Sequence, residues 1–339
     1  MVYRIGILVS LLSVWLQISP VVSHGRLMDP PARNSMWRFG FPSPVDYNDN
    51  ELYCGGRGVQ FGVNDGKCGV CGNDYRDKVP RPHEMNGLYY SGLNTRRYAP
   101  GQTVNINIDL TANHWGYFEL KLCPSNYDSN KEMQACFDKY PLRIAGTNTT
   151  RYEISKDTPK KGTFKYRIQL PPKVTCSHCI IQWTYYTGNT WGICPDGTGA
   201  VGCGNQETFV NCADVSIVSG SGSRPGPATE ENPFQLYVSK DGQLASPPLS
   251  PGQEFEPLVV DSQVCLATGK YKGNKKRDEW CMTNCLKYPP NCPQSRCKCI
   301  TDCVPIGGLE RIKGTDVFCH INCLRYPQDK CPTDKCSCS

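Results

Sequence analysis

Four stretches of the chain alternate apolar and polar side chains with a period of two. Val104, Ile106, Ile108 and Leu110 are separated by Asn105, Asn107 and Asp109. Phe164, Tyr166, Ile168 and Leu170 are separated by Lys165, Arg167 and Gln169. Phe118, Leu120 and Leu122 repeat the pattern, as do Ile181, Trp183 and Tyr185. Successive side chains of a strand point to opposite faces, so this alternation predicts strands with one face packed and the other wet. Gly, Pro and Asn punctuate the intervals, and no convincing 3.6-residue period interrupts residues 24–218. The pattern predicts an all-β fold, an antiparallel β-sandwich.

A different pattern precedes the strands. The run from Ile5 to Ile18 is apolar almost throughout, with Arg4 before it and the small residues Val21 and Ser23 behind it. That is the layout of a secretory signal, predicted over residues 1–23 with the cut between Ser23 and His24. The run is too short to span a bilayer, and no later segment is long enough. The mature chain is therefore expected to begin at His24 and to be secreted, without a membrane anchor.

Composition divides the remainder. Residues 219–260 contain "SGSGSRPGPATEENP" and "SPPLSPGQEFEP", too rich in Gly, Ser and Pro to build a core, and read as a linker. Residues 261–300 and 301–339 are a tandem duplication. Cys265, Cys281, Cys285, Cys292, Cys297 and Cys299 match Cys303, Cys319, Cys323, Cys331, Cys336 and Cys338, and "NCLKYPPNCP" matches "INCLRYPQDKCP". Each copy is too small for a sufficient apolar core and must rely on disulfides. Six cysteines allow fifteen pairings, and spacing does not choose among them.

The whole chain carries 22 cysteines, an even number that fits an oxidising compartment. Ten of them lie in the first block, where they are expected to staple long loops. Asn148-Thr149-Thr150 is a glycosylation sequon. The net charge of +6 is mild for 339 residues and no long basic run stands out, which excludes a nucleic-acid footprint. "KYKGNKKRDE" in the first repeat reads as a solvated loop.

Chemistry centres on the five histidines. A mature N-terminal His24 offers its α-amine and its ring, two nitrogens able to chelate one ion. One further imidazole gives three nitrogens with open positions, a set that suits copper(II). His114 is the best candidate, because it follows the strongest strand and shares a strand face with Ala112. The competing reading is a hydrogen-bonded loop histidine. His83 reads as a structural hydrogen-bonder and His320 as a residue of no special role. His178 in "CSHC" suggests zinc, but secretion makes Cys176 and Cys179 disulfide partners of other cysteines instead.

With these residues in view, "HGRLMDPPARNSMWRFGF", "YCGG", "RPHE", "TANHWGYFEL", "QWTYYTGNTWG" and "CGNQETFVNCADVSI" resemble the lytic polysaccharide monooxygenases, specifically auxiliary-activity family fifteen. The resemblance runs from His24 to about Val218. It implies an immunoglobulin-like β-sandwich bearing one copper ion on a flat face. His24 and His114 would form the histidine brace, Phe209 would fill the protein-side axial position, and Ala112 would crowd the other axial side. It also implies an insoluble β-1,4-linked polysaccharide as substrate, chitin first and cellulose second. An external electron donor and O2 or H2O2 would take part, and the enzyme would act as a monomer on a C1 or C4 hydrogen.

Glu207 and Gln182 are candidates for supporting the copper ligands, with solvated strand residues as the alternative. Trp37 and Tyr47 are candidates for stacking on sugar rings, with burial in the core as the alternative. The repeats are expected to target the substrate, with disulfide mini-cores or a protein-binding module as the alternatives. Two rival functions are a non-catalytic polysaccharide-binding matrix protein and a zinc hydrolase, the latter lacking any HExxH motif.

Overall fold

The computed structural model describes residues 23–39, 41–219, 264–286, 292–300, 302–310, 312, 315–324 and 326–339. The expected signal segment before Ser23 and nearly all of the expected linker lie outside the described residues, as does the side chain of His320.

Two sheets face each other. The first holds β1 (His24–Asp29), β3 (Thr103–Ala112), β7 (Gly162–Gln169) and β5 (Arg143–Ile144), in the order β1-β3-β7-β5. The second holds β2 (Arg96–Tyr98), β11 (Thr208–Ile217), β8 (Cys176–Tyr186), β4 (Gly116–Cys123) and β6 (Arg151–Ile154), in the order β2-β11-β8-β4-β6. Pairing is antiparallel throughout both sheets, apart from the parallel β2–β11 pair. The alternation read from the sequence is what packs them. Ile106, Ile108 and Leu110 of β3 meet Phe118, Leu120, Trp183 and Tyr185 in one buried cluster. Each such side chain contributes about 1.5–3 kcal/mol by leaving water.

Around the sandwich, α1 (Arg57–Gly62) and α2 (Gln134–Phe137) are short, and β9 (Trp191–Ile193) pairs with β10 (Gly199–Val201) in a separate ribbon. Five disulfides tie the loops: Cys54–Cys68, Cys71–Cys212, Cys123–Cys136, Cys176–Cys179 and Cys194–Cys203. Cys176 and Cys179 therefore bond to each other and not to distant cysteines. Buried arginines do the rest of the anchoring. Arg26 reaches Asp49 at 2.8 Å and Asp109 at 2.5 Å, and Asp49 also takes the Arg38 guanidinium, so the loop at Asp49 is locked to β1 and β3. Breaking one partner of such a pair costs about 3–5 kcal/mol.

Each repeat is a strand, a helix and a strand. The first holds β12 (Val264–Ala267), α3 (Lys275–Leu286) and β13 (Cys297–Ile300); the second holds β14 (Cys303–Pro305), α4 (Thr315–Cys323) and β15 (Cys336–Cys338). Both copies choose the same nested pairing, first cysteine to sixth, second to fifth, third to fourth. The helices were hidden in the sequence because Cys281 and Cys285 read as bridge points. With Met282 and Leu286 they form the buried helical face of α3. Lys275 onward in "KYKGNKKRDE" is thus helix, not loop.

The repeats also dock on the sandwich. Trp37 is 4% exposed and joins Val264, Cys265 and Met282 in one apolar cluster. Among the described residues, no helix is long and apolar enough to cross a membrane.

Candidate metal centre

The centre forms where β1 begins and β3 ends. Antiparallel register places His24 opposite Ala112, with a register shift between His24 and Gly25. At Gly25 a Cβ would meet the δ-methyl of buried Leu110 at 2.4 Å, so a larger residue would have to displace that side chain. Beyond Ala112 the chain leaves the sheet. The pleat therefore does not aim His114; hydrogen bonds do. Its main-chain N–H donates to the Tyr185 hydroxyl at 2.9 Å, and its carbonyl accepts from Gly188 at 2.9 Å. Asn113 fixes the turn through Thr158 at 2.8 Å and the Pro159 carbonyl at 2.9 Å. Trp115 (φ 57°) and Gly116 (φ 89°) then swing the chain into β4. At Gly116 a Cβ would meet the Tyr186 carbonyl oxygen at 2.0 Å, so only glycine allows this exit.

The two rings lie close enough for the charge of His24 to act on His114. Burial first, and His24 second, push the His114 imidazole down to about 4. It is therefore neutral at physiological pH, the form that has a lone pair to give. His114 Nδ1 sits 3.0 Å from the Asn189 side-chain amide, which leaves Nε2 as the ring nitrogen free to coordinate. His24 Nε2 faces Glu51 Oε1 at 3.6 Å, which leaves Nδ1, the ring nitrogen nearer its own main chain. Phe209 is fully buried, its ring centroid 6.5 Å from that of His24, 5.9 Å from Tyr185 and 6.1 Å from Tyr53. It offers no donor atom. Glu207 accepts the Ser23 N–H at 3.1 Å, and burial pushes its carboxyl up to about 7 against that bond and the charge of His24. The Ser23 hydroxyl donates to the Ala112 carbonyl at 2.8 Å.

His24, His114, Phe209, Ala112 and Glu207 thus converge. The other expected residues do not join them. Gln182 is on the outer face of β8, where it donates to the Val70 carbonyl at 2.8 Å and bonds Gln134, because the strand's pleat turns it away from Trp183 and Tyr185. Trp37 and Tyr47 are not an exposed sugar platform. Tyr47 bonds Thr283 at 2.6 Å and packs edge-on against Tyr326, so both aromatics are taken up by the repeats. Asn148 is exposed in the turn between β5 and β6. His83 bonds Asp46 at 3.2 Å and stacks on Tyr89, a structural role.

His178 sits between Ser125 (2.6 Å) and Asp214 (2.9 Å) in the order of a hydrolase triad. Ser125 and His178 are 0% exposed and Asp214 is held by Arg33, so no substrate reaches them and the group is a buried strut.

Sequence reasoning missed Asn189, Tyr185, Glu51 and the β9–β10 ribbon. Asn189 lies within "QWTYYTGNTWG" but has no pattern of its own. The ribbon is fastened to the centre through Gly188 and Asn189, and Cys194–Cys203 closes it. Trp191 and Val201 oppose each other on it, and with Ile193 they remain 51–59% exposed, an apolar surface on the ribbon that follows Gly188 and Asn189.

Residues 24–215 match the family model described as lytic polysaccharide mono-oxygenase, cellulose-degrading. A solved structure, the AA15 lytic polysaccharide monooxygenase from Thermobia domestica in the Cu(I) state, is 43% identical with a TM-score of 0.55, covering 57% of this chain and 98% of that one. The AA11 family lytic polysaccharide monooxygenase A of Aspergillus fumigatus is 27% identical over 154 residues, 45% of this chain. The chain spans about half the length (53%) of that curated relative. With a match that begins at His24 and takes in every residue of the centre, the chain belongs to the lytic polysaccharide monooxygenase family.

Proposed function

We propose that the processed, secreted chain holds one copper ion between His24 and His114 and oxidatively cleaves an insoluble β-1,4-linked polysaccharide. One observation carries the reading: His24 at the start of β1 and His114, two residues beyond the end of β3, come to one spot beside the apolar Phe209 ring. Two imidazoles and an α-amine are a nitrogen set that suits copper. His114 would coordinate through Nε2, with Nδ1–H donating to the Asn189 amide oxygen once that amide is turned. His24 would chelate through Nδ1 and its α-nitrogen, which cleavage after Ser23 converts from amide to amine. Bound copper, with an external electron donor and O2 or H2O2, supplies the oxidising power for a sugar C–H bond.

The chain's own residues do the rest. Phe209 keeps a strong ligand and water away from one side of the centre. Tyr185 holds the His114 main chain, and Asn189 orients its ring. Trp191, Ile193 and Val201 present apolar faces on which a crystalline sugar surface can rest. The resemblance to auxiliary-activity family fifteen favours chitin, whereas the family model's description names cellulose.

The test is parallel. The processed chain and one retaining Ser23 are titrated with copper by calorimetry and incubated with chitin or cellulose and ascorbate. The processed chain should bind copper far more tightly and release oxidised oligosaccharides by mass spectrometry. Equal affinity and yield from the two forms would remove the chelate from the reading, and products from cellulose alone would reassign the substrate.

A further inference from the structure

The first repeat contains a cavity of about 310 Å³ lined by Ala267, Tyr271, Arg277, Trp280, Cys281 and Arg296. Its chemistry is aromatic and cationic. The Arg277 guanidinium lies 5.0 Å from the Tyr271 ring centroid and Lys270 Nζ lies 5.2 Å from it. The carboxylate nearest in sequence, Asp278, is used elsewhere: its Oδ1 accepts the Ala267 N–H at 2.9 Å. Among the described residues neither Arg277 nor Arg296 has a carboxylate partner, whereas Arg26, Arg33, Arg38, Arg81 and Arg96 each do. The walls are fixed by Cys281–Cys297, by the Arg296 carbonyl accepting from Thr268 at 2.8 Å, and by the strand pair β12–β13.

The duplication supplies its own control. Counting from the matched cysteines, Tyr271, Arg277, Trp280 and Arg296 correspond to Leu309, Thr315, Phe318 and Lys335. The two copies share their backbone. The Lys335 carbonyl accepts from Ile306 as the Arg296 carbonyl does from Thr268, and Cys319–Cys336 repeats Cys281–Cys297. In the second copy Thr315 turns inward, its hydroxyl donating to the Leu309 carbonyl at 2.7 Å. Both copies pack an aromatic ring on the cluster at this point, Trp280 or Phe318, but the second builds the fold without the guanidiniums, the phenol or an indole, so packing does not require those groups.

We propose that this cavity is a binding site for an acidic saccharide, a sugar bearing a carboxylate or a sulfate. Two guanidiniums recognise such an anion through paired N–H donors, and the indole and phenol rings pack on the sugar's C–H faces. The volume is at the small end for ligand sites and fits one sugar unit with its acid group. The site is separate from the metal centre and does not depend on its chemistry.

The experiment uses the full processed chain with metal bound. It is titrated by calorimetry with a uronic-acid oligosaccharide, a sulfated oligosaccharide, a neutral N-acetylglucosamine oligomer and an acidic peptide. Saturable binding of either acidic sugar, weakening with salt, is expected, and whichever binds more tightly identifies the acid. R277Q and R296Q should each weaken it about tenfold, the loss of a charge-assisted hydrogen bond. W280F, which copies the second repeat, should weaken it as well, and K335Q should change nothing. Both arginines are exposed, and unchanged melting and intact disulfides by mass would show that the variants fold. Equal binding of the neutral oligomer, tighter binding of the peptide, no saturable binding, or arginine variants of full affinity would overturn the assignment.

Discussion

Trp37→Ala tests whether the repeats are fastened to the sandwich or merely tethered to it. Trp37 is 4% exposed, and what covers it is the apolar cluster of Val264, Cys265, Met282 and Leu286 together with Tyr47, which it meets edge-on at 6.0 Å. Arg38 lies over the same ring at 4.6 Å and donates to the Leu286 carbonyl at 3.3 Å. Tryptophan-to-alanine changes in such settings cost about 3–5 kcal/mol. Because the lost contacts cross between the two parts, the cost should fall on docking and not on folding of either part. At about 1.4 kcal/mol per factor of ten, the ratio of docked to undocked repeats should fall by about 10²–10³ or more. Small-angle scattering should show a larger radius of gyration in the variant, and hydrogen exchange should speed up at Tyr47 and along α3. The melting of the sandwich should hardly move. A variant with the native radius and a sandwich weakened by the full amount would show that Trp37 stabilises the sandwich itself, and docking would lose its anchor.

Three further outcomes follow from the centre. Gly116→Ala puts a Cβ 2.0 Å from the Tyr186 carbonyl oxygen, so the turn carrying His114 must shift; copper affinity should drop at least tenfold by calorimetry while near-ultraviolet circular dichroism stays native, and unchanged affinity would show that the turn does not position the ligand. Phe209→Ala removes a fully buried ring and should cost about 3–5 kcal/mol of stability by denaturant titration, with an altered copper spectrum; a native spectrum would make Phe209 ordinary core. In the metal-free protein, His114 should titrate near 4 by NMR instead of 6.5. The unfolded chain then takes up a proton below pH 6.5 that the fold refuses until about pH 4, so this histidine's contribution to stability is lost as pH falls through that window, by about 1.4 kcal/mol per unit. A midpoint at 6.5 would refute the burial argument.

The strands were legible because Ile106, Ile108 and Leu110 each face a core that needs only alternation to be specified. His24 and His114 were candidates from the expected cleavage and the position of His114 after its strand, and the family resemblance made them a pair. How His114 is aimed was not, because β3 stops at Ala112 and the ring is placed by Tyr185 and Asn189, each more than 70 residues away. Glu207 lies just before β11 and comes to the centre, whereas Gln182 does not, because no pattern in the sequence told which face of β8 it takes. Trp37 and Tyr47 carried no local sign of their fate. The partner of Tyr47, Thr283, lies 236 residues further on, in a helix whose apolar face is made partly of bridging cysteines. An aromatic near a site is read as exposed until the module that covers it is known.

The nested bridges give each repeat one doorway. The first and last cysteines lie 3.9 Å apart, Cα to Cα, in one copy and 4.1 Å in the other, so the chain enters and leaves each unit at a single point. A unit with that geometry can be copied in tandem, or spliced into an exposed turn of an unrelated protein, without stretching the host backbone. The duplication in this chain is one use of that portability. The two copies keep one architecture and differ in what they display, as Tyr271 and Trp280 against Leu309 and Phe318 record.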